Sequence, residues 1–473
     1  MNSSAVLPTD RFSVTEEGLR KIVGEALKGG GSYCDLYFED SSSCELVLRD
    51  SEVASGGFNI DYGCGVRVLD GERTGYAYSE STDMDSLMKA ARAAASIAGP
   101  SSPKFTPQAL PEAVSRYRQI KKWSDGSVEA YTAALKKLEA MIRARDSRTT
   151  KVIASLAYSE SNILMYNSFG ELTSDSHPMG RMAVKAVFSQ NGATETQSVS
   201  RSFSSGAEML TDALLEELCS ECVHGIDERF AARRPKGGKM SVVMGAGASG
   251  ILLHEAMGHA FEADFNRKGQ SVFSEKMGKR ICGKGITIVD DGTIPANRGA
   301  ITYDDEGVPG QKTVMVEDGI LTSYLHDRIS ARYYGVAPTG NGRRESFRYH
   351  PLPRMRATYM LGGGSGSCED IIAGVKKGIY VDRFSNGQVK IGEGDFTFFV
   401  QSGFLIENGR LTMPVKDINI VGNGPKALAD ICEVGSDLKI DNSGWTCGKE
   451  QDAAVSCGIP SVLVRNLTVG GQK

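Results

Sequence analysis

Arg233-Arg234-Pro235-Lys236-Gly237-Gly238 is where this 473-residue chain changes character. The tract is polar and carries a proline and paired glycines, the punctuation of a chain leaving one folded unit for another. Before it, helical and strand-like patterns alternate. After it, turn pairs recur between β-rich segments, at Asp291-Gly292, Asp318-Gly319, Asn386-Gly387 and Asn408-Gly409, and few helical patterns follow residue 270. The sequence therefore predicts an α+β protein in two parts. Residues 1–235 form an N-terminal α/β domain with an antiparallel or mixed sheet and helices, and residues 236–473 a C-terminal β-rich, barrel-like domain.

Working upstream, Ser13-x-x-Glu16 reads as a capping box before an amphipathic helix with Leu19, Ile22, Val23, Ala26 and Leu27 on one face. Gly65–Leu69, the Asp70-Gly71 turn and Thr74–Tyr78 read as a β-hairpin. A Pro/Ser-rich connector from Gly99 to Pro111 precedes a helix marked by Tyr131, Leu135, Leu138 and Ile142, and strands are expected from about 151 to 205. Cys219-x-x-Cys222 falls inside a helical apolar pattern and has no second CxxC, so helix packing explains it better than a redox or zinc pair. The chain shows no internal repeat and no low-complexity segment.

Hydrophobic content of 40%, charged content of 24% and a net charge of −4 describe a soluble globular protein with no field favouring nucleic acid or an anionic membrane. The first ten residues lack the basic and apolar regions of a signal peptide, and no apolar run approaches the ~20 residues that span a bilayer. A cytoplasmic location is expected, with the ten cysteines as reduced thiols.

Downstream of the boundary, His254-Glu255-Ala256-Met257-Gly258-His259 places two imidazoles and a carboxylate within six residues of a chain that has six histidines. Neutral imidazole ligates zinc, and a neighbouring carboxylate can deprotonate water on the ion. The spacing is HExxxH, which sets the rings about 140° apart on a regular helix, so both reach one ion only if the helix bulges or ends near His259. Gly258 is the residue type that permits this departure. The bland alternative is two unrelated histidines on a buried helix. Just upstream, Gly245-Ala-Gly247-Ala-Ser-Gly250 matches a dinucleotide fingerprint. The helix it opens carries the histidines and no clear βαβ unit follows, so close strand–helix packing accounts for it and no nucleotide cofactor is expected.

A catalytic zinc usually takes a third protein ligand and leaves one position for water. Glu262, Asp264, Cys447 and Cys457 all qualify by residue type, and spacing does not choose among them. A further tract, Gly340 to Met355, sets Arg343, Arg344, Ser346 and His350 after a glycine-rich turn. It reads either as a loop lining a substrate cleft, arginine holding a carboxylate or carbonyl, or as a solvated loop with structural ion pairs.

HEAMGHAFEADFNRKG, then VDDGT, DDEGVPGQ, TGNGRRES, PLPRM, KKGIYVDRF, GQVKIGEGDF, LIENGRLTMPV, NGPKALADI, GSDLKIDN, CGKE and NLTVGG, run in order over 240–473 and resemble the TldD branch of the TldD/PmbA family. CDLYFED and GVRVLDGERTGYAYS in the N-terminal part fit as well. The resemblance implies a zinc metallopeptidase, one Zn2+ per chain, that acts on small or unfolded peptides in peptide maturation or degradation. It assigns His254, His259 and Cys447 as metal ligands and Glu255 as the general base that activates the zinc-bound water. It also implies a peptide held as an extended added strand, and a heterodimer with a PmbA-type paralogue, a homodimer being the other arrangement. Two departures stand out. The family's CGK-(D/E)-G-Q is one glycine short at Cys447-Gly-Lys-Glu450-Gln451, and its PRMTNT reads Pro353-Arg-Met-Arg356-Ala357-Thr358. The competing reading is a non-catalytic peptide-binding or regulatory subunit with a structural or absent metal, marked by a closed fourth ligand such as Glu262 or Cys457.

Overall fold

The computed structural model describes residues 8–99, 104–117, 119–247, 249–390 and 393–471. Strands β1 (Tyr33–Arg49), β2 (Glu52–Asp70), β3 (Arg73–Ser79), β4 (Thr149–Asn167), β5 (Leu172–Gln190) and β6 (Ala193–Phe203) make one antiparallel sheet, ordered β3-β2-β1-β4-β5-β6. The expected hairpin is β2–β3, closing at Asp70–Arg73 with Gly71 at φ +65°. Two apolar clusters hold helices to this sheet. Leu19 and Ile22 of the Glu16–Ala26 helix meet Leu87 of the Met84–Ala95 helix over Leu36, Phe38, Val66 and Val68. Leu135 and Leu138 of the Val128–Arg145 helix meet Leu215 and Leu218 of the Asp212–Val223 helix over Val152, Leu156 and Val184. Cys219 and Cys222 belong to that second cluster as free thiols, which is the packing role read from the sequence.

The Glu16–Ala26 helix is capped two residues later than the sequence suggests. Thr15, not Ser13, is the cap, its side chain accepting from the Gly18 N–H, while Ser13 sits at φ 53° outside the helix.

Downstream lie β7 (Gly238–Met244), β8 (Ile288–Asp291), β9 (Lys312–Glu317), β10 (Ile320–Leu321), β11 (Gly342–Arg343), β12 (Leu352–Pro353) and β13 (Ala357–Met360). They are followed by β14 (Lys377–Lys390), β15 (Asp395–Glu407), β16 (Arg410–Pro414), β17 (Asn419–Asn423), β18 (Ile431–Val434), β19 (Lys439–Lys449), β20 (Gln451–Ile459) and β21 (Val462–Gly470). Strands β14-β7-β21-β17-β15 pair in sequence and β15 pairs back to β14, closing a small barrel. A second sheet runs β10-β9-β8-β13-β20-β19. The fold is α+β with a barrel-like C-terminal part, as the turn pattern predicts.

Two of the expected turns form as hairpins. Asp318-Gly319 and Asn408-Gly409 take left-handed backbone between β9 and β10 and between β15 and β16. Asn386-Gly387 does not turn the chain; it lies inside β14, where a Cβ on Gly387 would fall 2.1 Å from Phe398 Cδ1. That glycine serves ring packing. Asp291-Gly292 ends β8 without a hairpin, and the Asp291 carboxylate accepts from the Thr293 N–H.

The Gly250–Met257 helix lies between the two C-terminal sheets, with Leu252, Leu253 and Met257 in the cluster that also holds Val242, Met244, Ile288, Val455 and Val462. A Cβ on Gly250 would meet the Gly458 backbone N at 2.7 Å, so the glycine-rich entry is the close strand–helix packing expected of it. Among the described residues no helix is long and apolar enough to cross a membrane.

Candidate metal centre

The α-helix ends at Met257, which leaves helical geometry at φ −137°, and the chain continues as a short 3-10 turn over Gly258–Phe261. This break rotates His259 back toward His254. The ring centroids are 5.4 Å apart and nearly perpendicular. Gly258 is not the hinge: its own backbone is right-handed helical. It is glycine because a Cβ would stand 2.2 Å from Met355 Sδ.

Cys447, on β19, completes the cluster. One ligand-type atom from each of His254, His259 and Cys447 lies within 4.8 Å of the others, and all three residues are buried. Cys447 Sγ is 3.1 Å from His259 Nε2. Both ring nitrogens of His254 are buried without a hydrogen-bond partner among the described residues. Buried polar atoms are normally satisfied, so an orphaned imidazole facing a thiol fits a cation. Burial raises the thiol pKa, but the neighbouring His254 and His259 rings outweigh it and draw Cys447 down to about 5. The set of two imidazoles and a readily ionised thiol suits zinc.

The other sequence candidates are arranged around this triad in different roles. Glu262 Oε2 accepts from the opposite nitrogen of His259, Nδ1, at 2.9 Å. It is an orienting carboxylate, facing away from the thiol. Although fully buried, it is held down to about 2 because Lys449 and His259 outweigh the desolvation. Lys449 Nζ lies 3.1 Å from Glu262 and 2.7 Å from Asp264. Arg354 Nη2 donates to the Cys447 carbonyl at 2.5 Å. Cys457 is fully buried, and burial, Asp441 and Glu255 push its thiol well above the ordinary range. Glu255 is half-buried, on the side of the helix near Cys457.

The Arg343–His350 tract docks against the first sheet. The Phe347 N–H donates to Glu39 at 2.8 Å, and Tyr76 Oη donates to the Phe347 carbonyl at 2.6 Å. Arg344 stacks 4.1 Å from the Tyr37 ring centroid and donates to Asp305 O. Arg343 Nη1 donates to the Met355 carbonyl at 2.6 Å, the Ser346 hydroxyl accepts from the Arg348 N–H, and the half-buried His350 accepts from Gln451 through its carbonyl. None of the four is in the metal triad. The residues that sequence reasoning passed over are Lys449 and Arg354. Each stands inside a motif, CGKE and PLPRM, but their partners are supplied only by the fold.

The PmbA/TldA metallopeptidase C-terminal domain matches residues 237–471, domain 1 matches 34–98 and the central domain 121–233. A metalloprotease TldD homolog from Haemophilus influenzae is 39% identical over 448 residues, 93% of each chain. The chain belongs to the TldD branch of the PmbA/TldD metallopeptidase family. A zinc metalloprotease TldD homolog from Saccharolobus solfataricus is 36% identical over 241 residues, 50% of this chain and 53% of that one. The crystal structure of TldE from Thermococcus kodakarensis shares the fold at TM-score 0.71 and 20% identity, over 96% of this chain and 100% of that one.

Proposed function

We propose that the chain is a zinc metallopeptidase acting on small or unfolded peptides, with one zinc held by His254, His259 and Cys447. The observation that carries this reading is the buried triad, whose His254 nitrogens have no other partner. Zinc at such a site supplies Lewis acidity, which acidifies water and polarises a peptide carbonyl. The chain's own part is to position and to move protons. Glu262 fixes the tautomer and angle of His259. Arg354 and Lys449 hold β19 and Glu262 in register. Glu255, the half-buried carboxylate of the motif, takes a proton from the attacking water and returns it to the leaving amine.

The competing reading, a peptide-binding subunit with a closed metal, needs a fourth ligand. Glu262 is turned to the far side of His259 and Cys457 is held as the neutral thiol. Neither joins the triad, which favours the enzyme.

A cavity of about 1370 Å³ lies between β6 and β19, lined by Thr196, Ser198, Ser200, Asp441 and Trp445 among others. The triad is not on its wall, yet Trp445 is, two residues before Cys447 on the same strand. We assign the extended peptide to this groove, and the active assembly to a heterodimer with a PmbA-type subunit in the cytoplasm, a location that suits ten free cysteines. The test is metal analysis with peptide hydrolysis, with and without a PmbA-type partner. Glu255→Gln is expected to keep zinc and lose cleavage, and Cys447→Ser to lose zinc. Wild-type cleavage by Glu255→Gln, or full zinc in Cys447→Ser, sinks the assignment.

A further inference from the structure

The outward carbonyls of β19 are already occupied. Ser443 O accepts from Ser200 Oγ, Trp445 O from Arg298 Nε at 3.2 Å, Cys447 O from Arg354 Nη2 at 2.5 Å, and Lys449 O from Arg354 Nη1 at 3.3 Å. Alternate residues of a regular strand present their carbonyls to the same edge, so Trp445, Cys447 and Lys449 share one, and Ser443 precedes them in the irregular stretch of β19. A peptide beside β19 finds that row of acceptors closed by side-chain donors, and among them Arg298, which adjoins the lining residues Ala296, Asn297 and Trp445 without itself lining the cavity, has capacity left over.

Arg298 is half-buried and bonds through Nε to Trp445 O and through Nη1 to the weak acceptor Met179 Sδ at 3.6 Å. Among the described residues no carboxylate lies within ion-pair distance of it. Burial and the neighbouring Arg181 push its pKa down to about 10. Arg181, on β5 and exposed, likewise has no carboxylate partner among the described residues. Its guanidinium lies over Gly444, where an added Cβ would fall 2.5 Å from Arg181 Nε and 2.7 Å from Ser202 Oγ. Gly444 takes φ +82° in an irregular stretch of β19 between Asp441 and Trp445. The strand is shaped to admit the arginine. Ser202 is 2% exposed, and its hydroxyl has no hydrogen-bond partner among the described residues. Two unpaired guanidinia and an orphaned buried hydroxyl thus converge on consecutive residues of β19, Gly444 and Trp445.

The carboxylates on the same cavity wall are engaged elsewhere. Glu217 and Glu221 pair with Arg201, Glu221 also with Arg383, Asp382 with Arg383 and Ser402, and Asp441 with Ser443 and Trp445. Lys185 and Lys439, also on the wall, add further unpaired positive charge. The groove is therefore cationic within a chain of net charge −4.

We propose that Arg181 and Ser202 on the cavity wall, with Arg298 adjoining them at Trp445, form a subsite for a carboxylate of the bound peptide, about 7–10 Å along β19 from Cys447 by the ordinary strand rise. The inference rests on the peptidase reading and adds its substrate class, a peptide with an acidic group about two or three residues from the bond that is cut. A planar guanidinium pair is the natural receptor for a carboxylate. The carboxylate has two sources, a peptide's C-terminus or an Asp or Glu side chain, and the test separates them.

The experiment measures binding, so it does not depend on turnover. The full-length Glu255→Gln chain is titrated with one fluorescein-labelled extended peptide, followed by anisotropy. The peptide is made with glutamate or glutamine inside, and with a free or amidated C-terminus. One carboxylate-bearing version is expected to bind about tenfold tighter than the fully amidated one, with Arg181→Gln erasing that preference and leaving the amidated peptide's affinity unchanged. Loss on C-terminal amidation assigns the α-carboxylate, and loss on the glutamate-to-glutamine change assigns a side chain. Equal affinity for all versions, no binding of any, or a preference that survives Arg181→Gln overturns the subsite. Arg298→Lys checks the buried partner, since it keeps the charge and is expected to retain part of the preference. Failure of the peptidase reading looks different: the carboxylate preference stands while wild type holds no zinc and cuts nothing.

Discussion

Two buried ionic networks, one under the metal triad and one between the first sheet and the C-terminal part, use the same residue types to different ends. Under the triad, Glu262 is held at about 2 by Lys449 and His259. At the other, Arg67 pairs with Asp35 and with Glu306 at 2.7 Å, while Glu39 receives the Phe347 N–H. There, burial raises Glu39 to about 7, the Phe347 N–H and the Ser41 hydroxyl being too little to hold the charge, and burial also raises Asp304 beside Glu306. The contrast teaches what a buried carboxylate is for. Where cations outnumber the loss of water it stays charged and aims a ligand; where they do not, it registers one body on another.

The largest effect on metal affinity is expected at the triad, and the largest effect on stability at Arg67. Glu262→Gln is expected to weaken zinc binding by about 10–100-fold in a chelator competition, because His259 loses its orienting acceptor. Arg67→Met is expected to destabilise by about 3–5 kcal/mol in denaturant unfolding while leaving zinc affinity unchanged, since it strands Asp35 and Glu306. Equal loss of zinc affinity in both variants would mean that the two networks act as one, and the comparison fails.

The networks also predict opposite responses to pH. Glu262 has a depressed folded pKa, so its stabilisation is present above the ordinary 4.5 and is lost only as pH falls through about 2. Glu39 has a raised one, so its contribution is full below 4.5 and is lost as pH rises through about 7. Hydrogen exchange at pH 5.5 and 8.5 is expected to show the β1–Phe347 contact loosening at the higher value while the Cys447 region stays protected. Uniform behaviour would remove the distinction.

Gly258→Ala sharpens the picture of the helix break. Its Cβ would collide with Met355, and a destabilisation of about 1–3 kcal/mol with weaker metal retention is expected. The smallest effect is at the shortened loop after Cys447. Lys449 pairs directly with Gln451, leaving Glu450 alone in the turn at φ 58°. Glu450→Gly is expected to raise stability by about 1 kcal/mol in thermal unfolding, with zinc content unaltered.

Much of the centre was legible because it is local. The HExxxH spacing required a broken helix, and the break occurs at Met257, although the glycine beside it answers to Met355 rather than to backbone freedom. Cys447 came from the family resemblance, as spacing alone left Glu262 and Cys457 open. What the sequence hid is the network of partners. Lys449 and Asp264 are 185 residues apart, and nothing in either motif foretells their 2.7 Å contact. Similarly, the Arg343–His350 tract has the composition of a substrate loop, but its docking on β1 and β3 depends on sheet registers that only the fold supplies. Asn386-Gly387 misleads for the same reason: a turn dipeptide on paper became room for the Phe398 ring.

The capped carbonyls of β19 have one more consequence. As the outermost strand of its sheet, β19 would otherwise offer a row of open acceptors to any other extended chain, including an unfolding copy of itself. Ser200, Arg298 and Arg354 close that row with side chains. The exposed edge of the sheet is thereby guarded against stacking into aggregates.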